Sequence, residues 1–581
     1  MNILDKQLNE EVFLMKDPAM DEECKKRYNE LLPRMFDYVD LYAKEKGSDL
    51  ALIEYDTGEE ITWKDFATKS KAFSAKLLSI GMKKGDIIAT SLPLLKENVY
   101  LMYACYRIGV IIAPLDLRLK AQEINRNFEK IKPKVYFFLG KTERADFRPM
   151  IAEVMKNHKD SCKYWVQFQK EEDLIMDGAI GITEFIKGIK GTYIKALITG
   201  KVKKAQKQVD KHDPCLIIFT TGSTGFPKPA LLSHYNILVQ NIGLAVGFGM
   251  DEKDIMCVNL PPSHVGCTTE QLATTIYSGG TSVILHIFDA EKTLDAIQKY
   301  RITVLGQIPA LYAMQWRLPN YNEYDLSSLR FAIYGGQAVT RPFLEKLATM
   351  APEMGSGFGL TEGAGFLTYT PHGGTVDDIL ASIGYDIPIS PISIRDPMKS
   401  DGSVGDEKNP GEVGEICFSG PQVFLGYYGD EENTKKVIST DKICYSGDLG
   451  SYDDTGLHFA GRAKFIIKPK GYNVFPTEVE DFIEQSFKGK VGTVACVGIP
   501  HEVFTEGIMA FVEKVEGQEL TITELEEMMK EIAAYKRPSH FEILKTGEIP
   551  LTRVGKTDYM ILRQRGEEIA QKLRSEGKWD S

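Results

Sequence analysis

The stretch 219-FTTGSTGFPKPALLSH-234 sets two glycines, five hydroxyl side chains and one lysine between two apolar runs. The run that leads into it, "CLIIF" (215–219), has the length of a buried strand, so the residues after it read as a loop leaving a strand end. Glycines let a backbone adopt positive φ and approach an anion closely, while hydroxyls and exposed N–H groups donate hydrogen bonds to its oxygens. Lys228 adds a point charge. The loop therefore reads as a phosphate cradle. It is not the GxxxxGK[ST] loop of kinases and GTPases, because Pro227 stands where that pattern requires glycine.

Outward from this loop the chain alternates helical patterns with short apolar runs. "WKDFATKSKAFSAKLLSIG" has helical spacing and stops at Gly81, "GDIIATSL" reads as a strand, "KENVYLMYACYRIG" as a helix ending at Gly109, and "VIIAPL" as another strand. "KVYFFLG", "TSVILHIF", "ITVLGQIP" and "LRFAIYGG" continue the series. The pattern predicts an α/β fold, with mainly parallel sheets covered by helices on both faces. A Gly-rich, alternating region, including "GEVGEICFSGPQVFLGYYG", predicts a smaller β-rich part between about 400 and 460. A compact α+β unit then follows: helix "TEVEDFIEQSF", strands "VACVGIP" and "GIMAFVEKV", helix "ITELEEMMKEIAAY", strand "HFEILK". The expected division is a large domain over 1–462 and a small, mobile C-terminal domain over 463–581.

At 581 residues the chain is too long for one core. Its formal charge of −11, from 81 acidic and 70 basic residues, argues against sequence-independent nucleic-acid binding. Nine cysteines without a CxxC pair read as reduced thiols. The acidic N-terminus shows no signal peptide, and no apolar run is long enough to span a bilayer, so the expectation is a soluble, cytoplasmic protein. One stretch breaks the pattern: 185–211 carries eight lysines against one acid. It reads as a solvated basic helix or loop, with contact to a membrane surface or an anionic ligand as the alternative.

Thr220 to Lys228 closely match [ST][ST]G[ST]TGxPKG, the nucleotide-phosphate loop of adenylate-forming enzymes, the superfamily of acyl-CoA synthetases, luciferases and peptide-synthetase adenylation domains. Pro229 departs from it, where glycine is usual. Further segments resemble the same family in the same order: "LPPSHVG" (260–266), "YGGQAV" (334–339), "GFGLTEGAG" (357–365), "YSGDLG" (445–450), "GRAKFIIKPKGYNVFPTEVE" (461–480), "AAYKRP" (533–538) and "IPLTRVGKTDYMILR" (549–563). Any one of these loops alone would be unremarkable; their order is what identifies the chain as resembling the acyl-CoA synthetase branch.

The resemblance implies ATP, Mg2+ and coenzyme A as partners, with a small carboxylic acid. Adenylation joins two anions, so cations and donors must stand where charge develops. The resemblance implies that Thr220, Thr221, Gly222, Ser223, Thr224 and Gly225 wrap the β- and γ-phosphates beside Lys228, and that Thr361 donates to the α-phosphate. Glu362 would help hold Mg2+, which favours carboxylate with phosphate oxygens. Gly336 and Gln337 would line the adenine and acyl sites, and Phe358, in place of the usual Tyr and beside Gly359, would offer a face to adenine. His264 would stand beside the acyl pocket. Asp448 would accept from the ribose hydroxyls, Arg462 would close that side, and Lys556 would bridge the carboxylate and the α-phosphate.

Three acceptors remain open: coenzyme A, a carrier protein, and oxidation as in luciferases. Only 25 residues follow Lys556, so no carrier domain is expected in line. Family enzymes that use coenzyme A rotate the small domain about a hinge, here Lys464 and Phe465, the latter where Asp is usual. Gly471 would then flank the pantetheine tunnel, Tyr472 would belong to the segment brought in, and Lys536 would contact coenzyme A phosphates. The resemblance favours medium-chain, branched, alicyclic or aromatic acids, and Trp63, Trp165, Trp316 and Trp579 lie outside the motifs that map to the pocket floor, which favours an acid larger than acetate. Cys267, Thr268 and Thr269 stand where an amino-acid substrate would call for Asp. A degenerate nucleotide-binding module would be expected to lack the lysine or the carboxylate, and both are present.

Overall fold

The computed structural model describes residues 18–220, 227–462, 465–469, 474–501, 505–552 and 555–579. They fall into two compact units. The first is built from most of the chain up to Cys444; the second takes Ser393–Pro397, Gly405–Cys417 and Tyr445 onward.

In chain order the first unit contains β1 (Leu50–Glu54), β2 (Glu59–Thr62), β3 (Ile87–Ser91), β4 (Ile111–Pro114), β5 (Val135–Leu139), β6 (Tyr164–Phe168), β7 (Ile180–Gly181), β8 (Pro214–Thr220), β9 (Lys228–Ser233), β10 (Ile255–Val258), β11 (Thr281–Ile284), β12 (Val304–Gln307), β13 (Phe331–Tyr334) and β14 (Glu353–Gly355). They form two seven-stranded sheets, ordered β7-β6-β5-β3-β4-β8-β9 and β14-β13-β12-β10-β11-β1-β2. Both are parallel except at one edge, where β8/β9 and β1/β2 run antiparallel. Every residue of β3 and β4 is buried. Strands covered on both faces read as unbroken apolar runs, which is why these were visible in the sequence. The connecting helices obey local rules too: Trp63–Ser79 starts at Thr62, whose side chain accepts from the Asp65 N–H. Lys96–Ile108 stops at Gly109 at φ +70°, the left-handed conformation glycine takes without strain.

The second unit has a four-stranded sheet (Ile392–Arg395, Gly414–Phe418, Cys444–Asp453, Gly456–Arg462) and a three-stranded one (Val491–His501, Thr505–Lys514, His540–Leu544). Alternation organises the latter. Val494, Cys496, Ile508, Ala510 and Val512 pack on one face with Val479 and Ile483 of the helix Pro476–Ser486. Ala495, Val497, Ile499, Met509 and Phe511 pack on the other with Leu562 and Ala570 of the helix Tyr559–Ser575. The apolar pattern does not predict that last helix. The helix expected over "ITELEEMMKEIAAY" is shorter than predicted: it runs from Ile522 to Met528 and gives way to 3-10 turns. Arg537 holds the turn by donating to the carbonyls of Lys530 and Ile532, and Pro538 disfavours helical backbone at the residue before it. All nine cysteines are free and buried. Among the described residues no helix is long and apolar enough to cross a membrane.

Candidate active site

In the first unit each motif leaves the carboxyl end of a strand, where open α/β sheets bind ligands. Thr220 ends β8, and the chain returns as β9 with Lys228 opposite Thr220. Thr221, Gly222, Ser223, Thr224 and Gly225 lie outside the described residues. Leu231 of β9 turns both its N–H and its carbonyl away from β8, to Gly426 O (2.9 Å) and from Leu425 N–H (2.9 Å). Pro229, two residues earlier, faces the same way, and its carbonyl accepts from Tyr428 N–H at 2.8 Å. Its missing N–H therefore costs no bond to β8, and proline is tolerated at such an edge position.

The segment 425–428 that covers this edge also supplies a residue that sequence reasoning passed over. The Tyr427 hydroxyl donates to Glu362 Oε1 at 2.7 Å, and Lys228 Nζ sits 5.1 Å from the Tyr427 ring centroid. Burial, with the Glu362 charge beside it, pushes the phenol well above its ordinary range, so it stays a donor. Lys228 and Glu362 are thus brought to one aromatic ring. The only sign of this in the sequence was an aromatic pair beside Gly426 in a glycine-rich stretch.

Thr361 and Glu362, both half-buried, form a 3-10 turn followed by Ala364 at φ +59° and Gly365 at φ +135°. Gly365 admits no side chain: a Cβ there would lie 2.6 Å from Glu270 Oε1 and 3.0 Å from Gln240 Nε2. Phe358 is 7% exposed, its N–H donating to Thr368 Oγ1 at 2.8 Å, while Gly359 is exposed. Gly336, at φ +94°, and Gln337 are exposed in the turn after β13. At the neighbouring Gly335 a Cβ would come within 2.9 Å of the Phe366 ring, so this turn lies close to the Thr361–Phe366 segment.

His264 follows β10 and precedes a π-helical turn, Gly266–Leu272, a rare form that recurs at functional sites. Gln271 pins the turn, accepting from the Asn259 and Leu260 N–H groups and donating to Gly306 O at 2.7 Å. Thr269 Oγ1 reaches Ala364 O at 2.7 Å. These contacts join the His264, Gly336 and Glu362 segments into one cluster. His264 Nε2 lies 4.0 Å from Asp116, whose carboxyl burial would raise; its bonds to Arg118 outweigh this and hold it below the usual range.

In the second unit Asp448 and Arg462 are cross-strand partners, with Arg462 Nε 3.0 Å from Asp448 Oδ1 and Asp448 6% exposed. Beside them Glu415 accepts from Gly447 N–H at 2.9 Å, and burial together with the Asp448 charge raises its carboxyl. Sequence reasoning did not single out Glu415. Lys556 lies half-buried in a turn closed by Thr552 N–H to Lys556 O at 2.6 Å and by the Leu551–Thr557 bridge. Lys536 is paired with Glu478, which raises its ammonium. Phe465 packs on Tyr559, ring centroids 5.1 Å apart, so an aromatic contact stands where the family pattern would place a polar one. Lys464, Gly471 and Tyr472 lie outside the described residues.

No group of three His, Cys, Asp or Glu residues able to hold a metal occurs among the described residues. Glu362 as a single carboxylate suits Mg2+ that takes most of its ligands from phosphate oxygens and water.

Two compact units, the larger carrying strand-end loops around Glu362 and the smaller carrying Asp448 and Lys556, define an adenylate-forming enzyme. The chain belongs to the AMP-binding enzyme family: that family's profile matches residues 39–428, and the profile of the AMP-binding enzyme C-terminal domain matches 478–556. The chain is similar to the putative acyl-CoA synthetase YngI of Bacillus subtilis, 24% identical over 89% of this chain and 94% of that protein. It is also similar to the mitochondrial medium-chain acyl-CoA ligase ACSF2 of Danio rerio, 27% identical over 89% and 86%. Its fold matches that of the anthranilate CoA ligase AuaEII in complex with anthranoyl-AMP, with a TM-score of 0.78, 20% identity, and coverage of 94% and 99%. ATP-bound MatB from Rhodopseudomonas palustris gives a TM-score of 0.75, 22% identity, and coverage of 92% and 99%.

Proposed function

We propose that this enzyme activates a medium-chain, branched, alicyclic or aromatic carboxylic acid with ATP and transfers the acyl group to coenzyme A. The observation that carries the reading is the clustering of Lys228, Tyr427 and Glu362 beside the strand-end loop, within a chain that matches both family domains. In the first half-reaction a carboxylate oxygen attacks the α-phosphorus, the bond to the β-phosphate breaks, and pyrophosphate leaves. In the second the coenzyme A sulfur attacks the acyl carbon, the mixed-anhydride C–O bond breaks, and AMP leaves.

Lys228 and the loop hydroxyls hold the outgoing phosphates, and Thr361 donates to the α-phosphate. Glu362, oriented by Tyr427, holds Mg2+, which when bound neutralises phosphate charge. Asp448 and Arg462 take the ribose, and Phe358 packs near the adenine. Lys556 supplies the cation between the two reacting anions, and a small domain turning about a hinge at Lys464 and Phe465 exchanges it for Gly471, Tyr472 and Lys536 in the second step. The four tryptophans have structural places: Trp63 packs on Tyr42, Trp165 on Tyr136 and Trp316 on Phe343, and Trp579 donates to Pro500 O at 3.0 Å. This supports a pocket larger than acetate needs, as do relatives named for medium-chain acids.

The test is carboxylate-dependent exchange of labelled pyrophosphate into ATP across a panel of such acids, followed by thioester formation with coenzyme A. Lys556→Ala should lower exchange by on the order of 100-fold or more, the loss of a preorganised charged donor. It should spare thioester formation from supplied acyl-AMP. Gly471→Leu should do the reverse. Equal loss of both steps in both folded variants would refute the two-conformation reading, and acceleration by a carrier protein but not by coenzyme A would replace the acceptor.

A further inference from the structure

The lysine-rich stretch that the catalytic reading does not use folds as two helices, Ile189–Thr199 and Lys201–Gln206, in the first unit. Ala196 and Tyr193 turn inward to Ala75 and Leu78 of the helix Trp63–Ser79, with Val202 of the second helix in the same cluster. That orientation leaves Ile194, Leu197 and Ile198 outward, 57%, 59% and 82% exposed. Spaced i, i+3 and i+4, they form one stripe. Among the described residues no other large hydrophobic side chain is as exposed as Ile198, and the others that are exposed do not form such a triplet on one helix.

The surroundings of the stripe are basic. Lys190 lies one turn before Ile194, Lys195 beside it, Lys203 and Lys204 come after on the second helix, and Lys207 just follows its end, all exposed. The nearby Glu184 is already paired with Lys187. A chain of net charge −11 thus concentrates eight lysines against one acid over 185–211, around its most exposed aliphatic triplet. A helix of 11 residues is only about 16 Å long, far short of a bilayer's thickness, but it can lie in the headgroup plane. There aliphatic side chains enter the acyl boundary while lysines reach to anionic headgroups over their apolar stems.

We infer that the outer face of Ile189–Thr199, with its flanking lysines, docks the enzyme on an anionic lipid bilayer. None of the residues of this surface belongs to the strand-end cluster, so the inference does not rest on the proposed reaction. The charge selects the occupant: a protein partner would need a dense acidic patch framing an apolar groove, whereas an anionic leaflet offers both features everywhere.

Flotation of the full chain with vesicles tests it, using equal parts of phosphatidylcholine and phosphatidylglycerol against phosphatidylcholine alone. The wild type should float with the anionic vesicles, remain below the neutral ones, and be released by high salt. The triple variant Ile194→Ser, Leu197→Ser, Ile198→Ser, and separately Lys195→Glu, Lys203→Glu, Lys204→Glu, should each partition on the order of tenfold or more less well. Circular dichroism and melting of each variant, matching wild type, establish that the fold is intact. Equal binding to both vesicles, none to either, or a folded serine variant that binds like wild type would overturn the inference. A lipid-free dimer abolished by the serine variant, without vesicle binding, would assign the face to a second copy of the chain instead.

Discussion

Replacing Glu480 by Gln tests the chemistry that steadies the smaller unit. Glu480 is 6% exposed on the helix Pro476–Ser486; its Oε1 accepts from Cys496 N–H at 2.7 Å, and the Tyr559 hydroxyl lies 3.1 and 3.2 Å from its two oxygens. Burial, only partly offset by these bonds, pushes its carboxyl from an ordinary 4.5 up to about 8. The folded unit therefore holds this proton more tightly than the open chain does. The stability this group contributes is fully present below about pH 4.5 and is lost as pH rises from there through about 8. At about 1.4 kcal/mol per unit, ionising Glu480 in place costs on the order of 5 kcal/mol. Glu484, raised to about 7 by burial, adds a loss of the same sign over a lower window. Glutamine keeps an acceptor for Cys496 and a polar partner for Tyr559 but cannot ionise. Hydrogen exchange of peptides from Val491–His501 in the full chain, corrected for intrinsic rates, should show wild-type protection falling between about pH 5 and 8 and levelling off above. The variant should lose most of that fall. A wild type with flat protection, or a variant whose protection falls as steeply, would refute the assignment of a buried, protonated Glu480.

Tyr427→Phe keeps the ring under Lys228 but removes the donor to Glu362. A hydrogen bond to a charged acceptor is worth about 1.5–3 kcal/mol, so pyrophosphate exchange should fall about tenfold or more while the melting profile holds, and unchanged kinetics would place Glu362 outside the reacting site. Gly365→Ala would drive a methyl group into Glu270 at positive φ; denaturation of the larger unit should show a loss of about 2 kcal/mol or more, and a wild-type midpoint would contradict the packing described there.

The range of each interaction decides whether the sequence disclosed it. β3 and β4 were legible because strands buried on both faces leave continuous apolar runs, and Lys96–Ile108 because its glycine stop is a local signal. The family was legible because each of its motifs is confined to one short stretch of the chain. Tyr427 was not, since its role depends on Glu362, 65 positions earlier. The end of the helix at Met528 had a nearer cause that the apolar periodicity does not register: Arg537, just past the segment, donates to the carbonyls of Lys530 and Ile532. The helix Tyr559–Ser575 carries Arg, Gln and Glu through its middle and a glycine at 566, where close approach to Ile499 leaves no room for a side chain. In the basic stretch the lysines could be counted, but not the side of the helix on which the aliphatic residues lie. Ala196, by packing inward, decides that.

The pairing of β1 with β11 bears on how the protein is made. Leu52 of the first hairpin is registered with Ser282, about 230 residues later. At about 5–20 residues per second, that hairpin waits on the order of ten to fifty seconds on the ribosome before its neighbour is synthesised. During that interval Ala51, Leu52 and Ile53, fully or nearly buried in the finished sheet, face water or a chaperone. The β10–β14 part of the sheet is contiguous in the chain and can assemble as it emerges, whereas the first hairpin can join only once β11 has been made. Slowing translation between about residues 60 and 280 would prolong the exposure of the hairpin, whereas slowing it after β11 would not.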